Sequence, residues 1–163
     1  MRYARGLRVV ALGTLALLFA ILVLPTTASA NSYTYGYTWT GSEATQSNRL
    51  FRNGVASDCI SVKPYPGPYG TGTQGYVTFP FYNPNPTTTC ITITWTGDNA
   101  YNTFLSVYAS PYNPLNMATN YLGDSGLSAG SSPITFGVLV PAFTQFVVLA
   151  NTVWGPGSAS GLG

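Results

Sequence analysis

The chain has 163 residues but only six Lys or Arg, four Asp or Glu and no His, so 6% of it is charged, against roughly a quarter in an ordinary soluble domain. Without histidine there is no Ser-His-Asp triad, no imidazole-activated thiol and no imidazole metal site. The few cations form no basic patch, which argues against nucleic acid and anionic membrane surfaces as partners.

In chain order, Arg2, Arg5 and Arg8 precede an apolar run from Val9 to Leu24, and Pro25 ends it before Ala28-Ser29-Ala30. Basic flank, short apolar core and small-x-small exit together predict a signal peptide over 1–30, cleaved before Asn31. The mature chain is then expected to be secreted to the exterior or cell surface, with no membrane span. Its 133 residues suit one domain with a real core. They carry Arg49, Arg52 and Lys63 against Glu43, Asp58, Asp98 and Asp124, three cations to four carboxylates and a net charge of −1. So little like-charge repulsion lets copies approach one another.

Ser32 to Thr40 alternates aromatic with small or hydroxyl residues, which puts Tyr33, Tyr35, Tyr37 and Trp39 on one side of an expected first strand. Gly41 to Asn48 reads as a polar turn, Leu50-Phe51 as a hydrophobic plug and Cys59 to Val62 as a second strand facing inward through Ile60 and Val62. Lys63 to Gly75, rich in proline and glycine, reads as a loop. Strands are expected at Tyr76–Phe81, Thr89–Thr96, Phe104–Tyr108, Ile134–Val140 and Gln145–Asn151, with Ser110 to Ser132 largely loop. The unbroken apolar run Phe146 to Ala150 suits a central strand covered on both faces. Short strands punctuated by turn residues about every ten positions indicate an all-β protein: an antiparallel β-sandwich, Ig-like or jelly-roll-like, of about seven or eight strands over 31–163, with a Gly-rich tail at 155–163.

Cys59 and Cys90 both fall on the side of their expected strands opposite the apolar face. In an exported chain with two cysteines the plain reading is an intramolecular disulfide, the alternatives being free thiols or an intersubunit bond. The bridge would close a loop of about 32 residues and add about 3–4 kcal/mol on the chain-entropy argument. The carboxylates are singletons in the sequence, so the paired acids of a glycosidase are not evident, and no enzyme is expected. Asp98 and Asp124, with Asn99, could offer oxygen ligands to Ca²⁺, but each sits beside glycine where turn chemistry explains it, and no loop has calcium-motif spacing. No cofactor is expected. Tyr65, Tyr69, Tyr112 and Tyr121, in loops rich in Pro, Gly and Asn, are candidates to stack on sugar rings or on a partner, unless they simply pack those loops. No Asn-x-Ser/Thr sequon occurs, and Thr87 to Thr89 beside Pro86 is a compositional candidate for O-linked sugar.

Arg52-Asn53-Gly54, Cys59, Tyr76-Val77-Thr78-Phe79 and Thr103 to Tyr108 followed by Tyr112-Asn113-Pro114 and Asn120 together resemble the pre-peptidase C-terminal type of domain, over about residues 33–152. The resemblance implies a β-sandwich with a non-catalytic, binding or structural role. This chain departs from that pattern at Gly123-Asp124-Ser125, where an Asn-Asp-Asp-like turn would stand. It departs again after Val153-Trp154, where one more strand would follow. A sandwich short of a strand exposes ladder groups that recruit a strand from another chain. The expected function is therefore a self-assembling, pilin-like filament subunit, with Tyr33, Tyr35, Tyr37 and Trp39 on the donated strand and copies of itself as partners. The alternative is a secreted monomeric module that binds carbohydrate or a surface through its loop aromatics.

Overall fold

The computed structural model describes residues 32–97 and 102–153; the expected signal peptide, the Gly-rich tail and Asp98 lie outside them. Seven antiparallel strands occur among the described residues: β1 Ala44–Leu50, β2 Pro68–Tyr82, β3 Thr89–Trp95, β4 Thr103–Ala109, β5 Tyr121–Ala129, β6 Ile134–Val140 and β7 Gln145–Thr152. They form a β-sandwich of unequal halves, a five-stranded sheet in the order β1-β2-β7-β4-β5 and a two-stranded sheet of β3 and β6. No helix among the described residues is long and apolar enough to cross a membrane.

Alternation sets the interface between the sheets. Phe79 and Phe81 of β2, Leu105 and Val107 of β4, Leu122 of β5 and Phe146 and Val148 of β7 meet Ile91, Ile93 and Trp95 of β3 and Ile134, Phe136, Val138 and Val140 of β6. The other face of the large sheet is covered too. Phe104, Tyr108, Val147 and Leu149 are buried there with Leu50, Tyr65, Tyr76, Tyr112, Met117 and Tyr121. Two covered faces explain why β4 and β7 are buried along nearly their whole length, as the run Phe146 to Ala150 requires of the middle strand.

The strands at Thr89, Phe104, Ile134 and Gln145 match the expectations to within two residues. Four expectations fail. Ser32–Thr40 carries no strand, and the first strand instead occupies the stretch read as a turn. Its alternation needs a ladder to become a strand, and residues 40–43 fold locally around the Glu43 carboxylate instead: Oε1 accepts from Thr40 N (2.6 Å), Thr40 Oγ1 (2.9 Å) and Tyr37 Oη (3.0 Å), and Oε2 from Gly41 N (3.0 Å). Cys59–Val62 is not a strand either, and Ile60 is 90% exposed. Asp58 Oδ1 accepts from the Ile60 and Ser61 amides there, turning the chain where a ladder would run straight. The Pro/Gly stretch after Lys63 enters β2 at Pro68, and Pro is tolerated as the first residue of a strand. Finally, β5 lies inside the segment read as loop.

Of the two units into which the chain divides, Met1–Gly36 and Tyr37–Gly163, the second holds the seven strands of the described residues. In the described part of the first, Tyr33 and Tyr35 are exposed.

Candidate functional site

The edges of the sandwich differ in how they are finished, and that difference defines the site. At the β5 and β6 side, residues 53–59 form a strap that pairs with both sheets. Gly54 N donates to Gly126 O (3.2 Å) and Ser57 N to Asp124 O (2.8 Å), while Gly137 N of β6 donates to Ser57 O (3.2 Å). The strap approaches so closely that a Cβ at Gly123 would stand 2.4 Å from Ser57 Oγ, and one at Gly137 2.8 Å from Cys59 Sγ. Glycine there is a packing requirement, although its look in the sequence is that of a turn. Cys59 is bonded to Cys90 of β3, which ties the strap to the small sheet.

A buried ion pair ties it to the large one. Lys63 Nζ donates to Asp124 Oδ1 (2.5 Å), Val55 O (2.5 Å) and Asn53 Oδ1 (3.1 Å), filling the three donors of an ammonium. Asp124, wholly buried, also accepts from Gly126 N (2.6 Å) and from the Tyr121 hydroxyl. Burial, then the bond to this carboxylate, push the Tyr121 phenol above its ordinary value. The Asp124 oxygens proposed for Ca²⁺ are thus engaged by an ammonium, an amide and a phenol, and no cluster of three or more metal-ligating residues occurs among the described residues.

At the far side of the large sheet, β1 breaks register between Ser47 and Arg49, with Asn48 at a φ of 68°, and places Arg49 on the edge. A bulge and a cation are standard protections against edge-to-edge pairing. Strand β3 has neither. Among the described residues it pairs only with β6, and its sequence Thr-Cys-Ile-Thr-Ile-Thr-Trp is uncharged, free of proline and β-branched at five of seven positions. Its inward side chains Ile91, Ile93 and Trp95 are only half-buried, as are Phe79 and Phe81 opposite them. Trp95 packs on Phe79 (centroids 5.9 Å), and its indole Nε1 is a buried donor with no acceptor among the described residues. Tyr37 meets Phe79 edge-on (6.2 Å) and Trp39 edge-on (5.4 Å), so the end of the aromatic segment reaches this same apolar slot.

The four loop tyrosines separate. Tyr65 packs on Tyr121 (5.5 Å), Tyr121 on Tyr108 (6.0 Å) and Tyr112 on both Tyr108 (4.6 Å) and Tyr76 (5.4 Å), the Tyr112 hydroxyl donating to Gln46 Oε1 (2.7 Å). These three roof the outer face of the large sheet. Tyr69 alone stays at the surface, half-exposed beneath the Arg49 guanidinium. Sequence reasoning missed Lys63, Arg49 and Arg52 as site residues; their rarity in so uncharged a chain was the available signal.

Comparison with protein families, with curated proteins and with solved structures returns no match in any of the three.

Proposed function

We propose that this is a non-enzymatic, exported structural subunit whose copies join by strand complementation, the segment Ser32–Thr40 of one copy adding to the β3 edge of the next. The observation that carries the reading is the unprotected edge of β3 above a half-buried aromatic slot, set against a strand-patterned segment without a strand of its own. A ladder formed there would satisfy the backbone groups of β3, and the aromatic side of the donor would cover Ile91, Ile93 and Phe81 and take the place on Phe79 that the same copy's own Tyr37 holds. It would also bring acceptors within reach of the Trp95 indole. Because donor and acceptor are different surfaces, the contact is heterologous and propagates as a filament without closing.

The test is negative-stain electron microscopy of the secreted protein beside a form lacking Asn31 to Thr40. Filaments in the first, and a folded monomer in the second that takes up one equivalent of a synthetic Asn31–Thr40 peptide, are the expected results. A monodisperse intact protein, or a truncated form that ignores the peptide, would overturn the reading.

A further inference from the structure

Arg49 and Arg52 account for two of the three cations of the described residues, and neither has a carboxylate within ion-pair distance there. The one ion pair among those residues belongs to Lys63 and Asp124. Their situation is costly. Arg49 is 8% exposed, yet among the described residues its guanidinium makes a single hydrogen bond, from Nη1 to Leu50 O (3.1 Å), which leaves most of its five donors uncommitted there. Burial, then the charge of Arg52, push it below its ordinary value. Arg52 is likewise pinned by one bond, from Nη1 to Ser128 Oγ (2.9 Å). A charge taken out of water normally requires a partner of opposite sign.

The two arginines face a cavity of about 150 Å³ whose other walls are Phe51 and Tyr69. The rings tilt at 42° with centroids 5.7 Å apart and are 43% and 50% exposed, and the Arg49 guanidinium lies 4.4 Å from the Tyr69 centroid. That contact holds the planar fork in place without using its N–H groups. Two preset cationic forks beside two exposed aromatic faces match an oxyanion attached to a small, partly apolar ring. We propose that this cavity binds the acidic residue of a polysaccharide, a pyranose bearing a carboxylate or a sulfate, the arginines holding the oxyanion and the rings the sugar's C–H face. The site lies at β1 and the start of β2, apart from the β3 edge, and does not depend on strand exchange.

Isothermal titration of the secreted protein with trigalacturonate, a sulfated disaccharide, maltotriose and inorganic sulfate tests the proposal. It is paired with hydroxyl-radical footprinting of Phe51 and Tyr69, which reads either assembly state. Binding of one or both acidic sugars is expected, weakened by added salt, protecting both rings and falling about tenfold or more in Arg52→Gln, since bonds to charged groups are the strong ones. Whether trigalacturonate or the sulfated sugar binds identifies the acid. Tyr69→Ala, a change at an exposed ring, is expected to lower affinity with the near-UV spectrum otherwise retained, and it decides the matter if Arg52→Gln does not fold. Equal affinity for maltotriose, equal affinity for inorganic sulfate, or no protection of Phe51 and Tyr69 would each overturn the proposal.

Discussion

Replacing Lys63 by Met should be among the most damaging single changes in this chain. The substitution leaves the Asp124 carboxylate at zero exposure with only the Gly126 amide and the Tyr121 hydroxyl to hold it. Breaking a buried pair from one side costs about 3–5 kcal/mol, because an uncompensated charge stays behind. Set against about 5–15 kcal/mol for a whole domain, that is a large share. With a urea dependence of about 2 kcal/mol per molar, the unfolding midpoint followed by tryptophan fluorescence should fall by about 2 M. The loss should also be local before it is global. The Ser57 amide, which donates to Asp124 O, and the Gly137 amide, which donates to Ser57 O, should lose hydrogen-exchange protection ahead of β4 and β7. The double variant Lys63→Met/Asp124→Leu removes both charges and orphans only the Tyr121 hydroxyl and the Gly126 and Val55 backbone groups, so it should recover part of the loss. A single-variant cost below about 1 kcal/mol, or costs that simply add in the double variant, would refute the reasoning and mean that water reaches the pair.

Removing the Cys59–Cys90 bridge as the double Ser variant, across its 31-residue separation, should cost about 3–4 kcal/mol by the loop-entropy argument, read as a lower urea midpoint that reductant does not change further. Alanine at Gly54, where φ is +77° and the space is open, should cost only the left-handed strain of about 1–2 kcal/mol. At Gly126, where φ is +69° and a Cβ would lie 2.4 Å from Val55 C, it should cost distinctly more, and equal melting shifts for the two would sink the close-approach argument. Partial burial raises the Glu43 carboxyl, but its bonds from Thr40 and Tyr37 outweigh this and hold it at about 2, below the ordinary value of about 4.3. What the anchor contributes is therefore complete above about 4.3 and lost as pH falls through 2; the chemical shift of the Thr40 amide proton should follow the carboxyl's titration near 2, and in Glu43→Gln it should show no such step.

What could be read from the sequence was whatever announced itself by apolar side chains. The strands at Ile91, Leu105, Phe136 and Phe146 were legible because their inward positions recur every second residue or fill the run that a doubly covered strand needs. Strand β1 and the first half of β2 were not, because they pair mainly with each other at the edge, where polar residues and glycine serve as well as β-branched ones. Strand β5 was hidden by its glycines, which leave room for a strap that arrives from about 70 residues earlier in the chain. The error over Ile60 and Val62 has the opposite origin: a real period of two whose apolar members are 90% and 66% exposed, since Asp58 turns the backbone there. The Lys63–Asp124 pair spans 61 residues, and nothing local distinguishes its aspartate from one that caps a turn.

The strap and the open edge belong together. A two-stranded sheet is marginal by itself and must borrow stability from what it packs against. Here β6 gains it on one side from residues 53–59, while the Cys59–Cys90 bond carries the same strap across to β3. Strand β3 is thereby held in place from its outward face and through β6, with no second ladder among the described residues. That arrangement steadies an uncharged β-branched strand that pairs, among the described residues, on one side only and would otherwise fray or slip register. Protection is concentrated elsewhere, in the bulge at Asn48 on the opposite rim. If β3 were simply a neglected edge, lysine at the outward position Thr92 should leave both stability and assembly unchanged, and at Thr94 should cost only the exposed hydroxyl bond to Thr135. If it is the acceptor, the same substitutions should leave the unfolding free energy within about 1 kcal/mol of its original value, as read from urea titration, and abolish filaments.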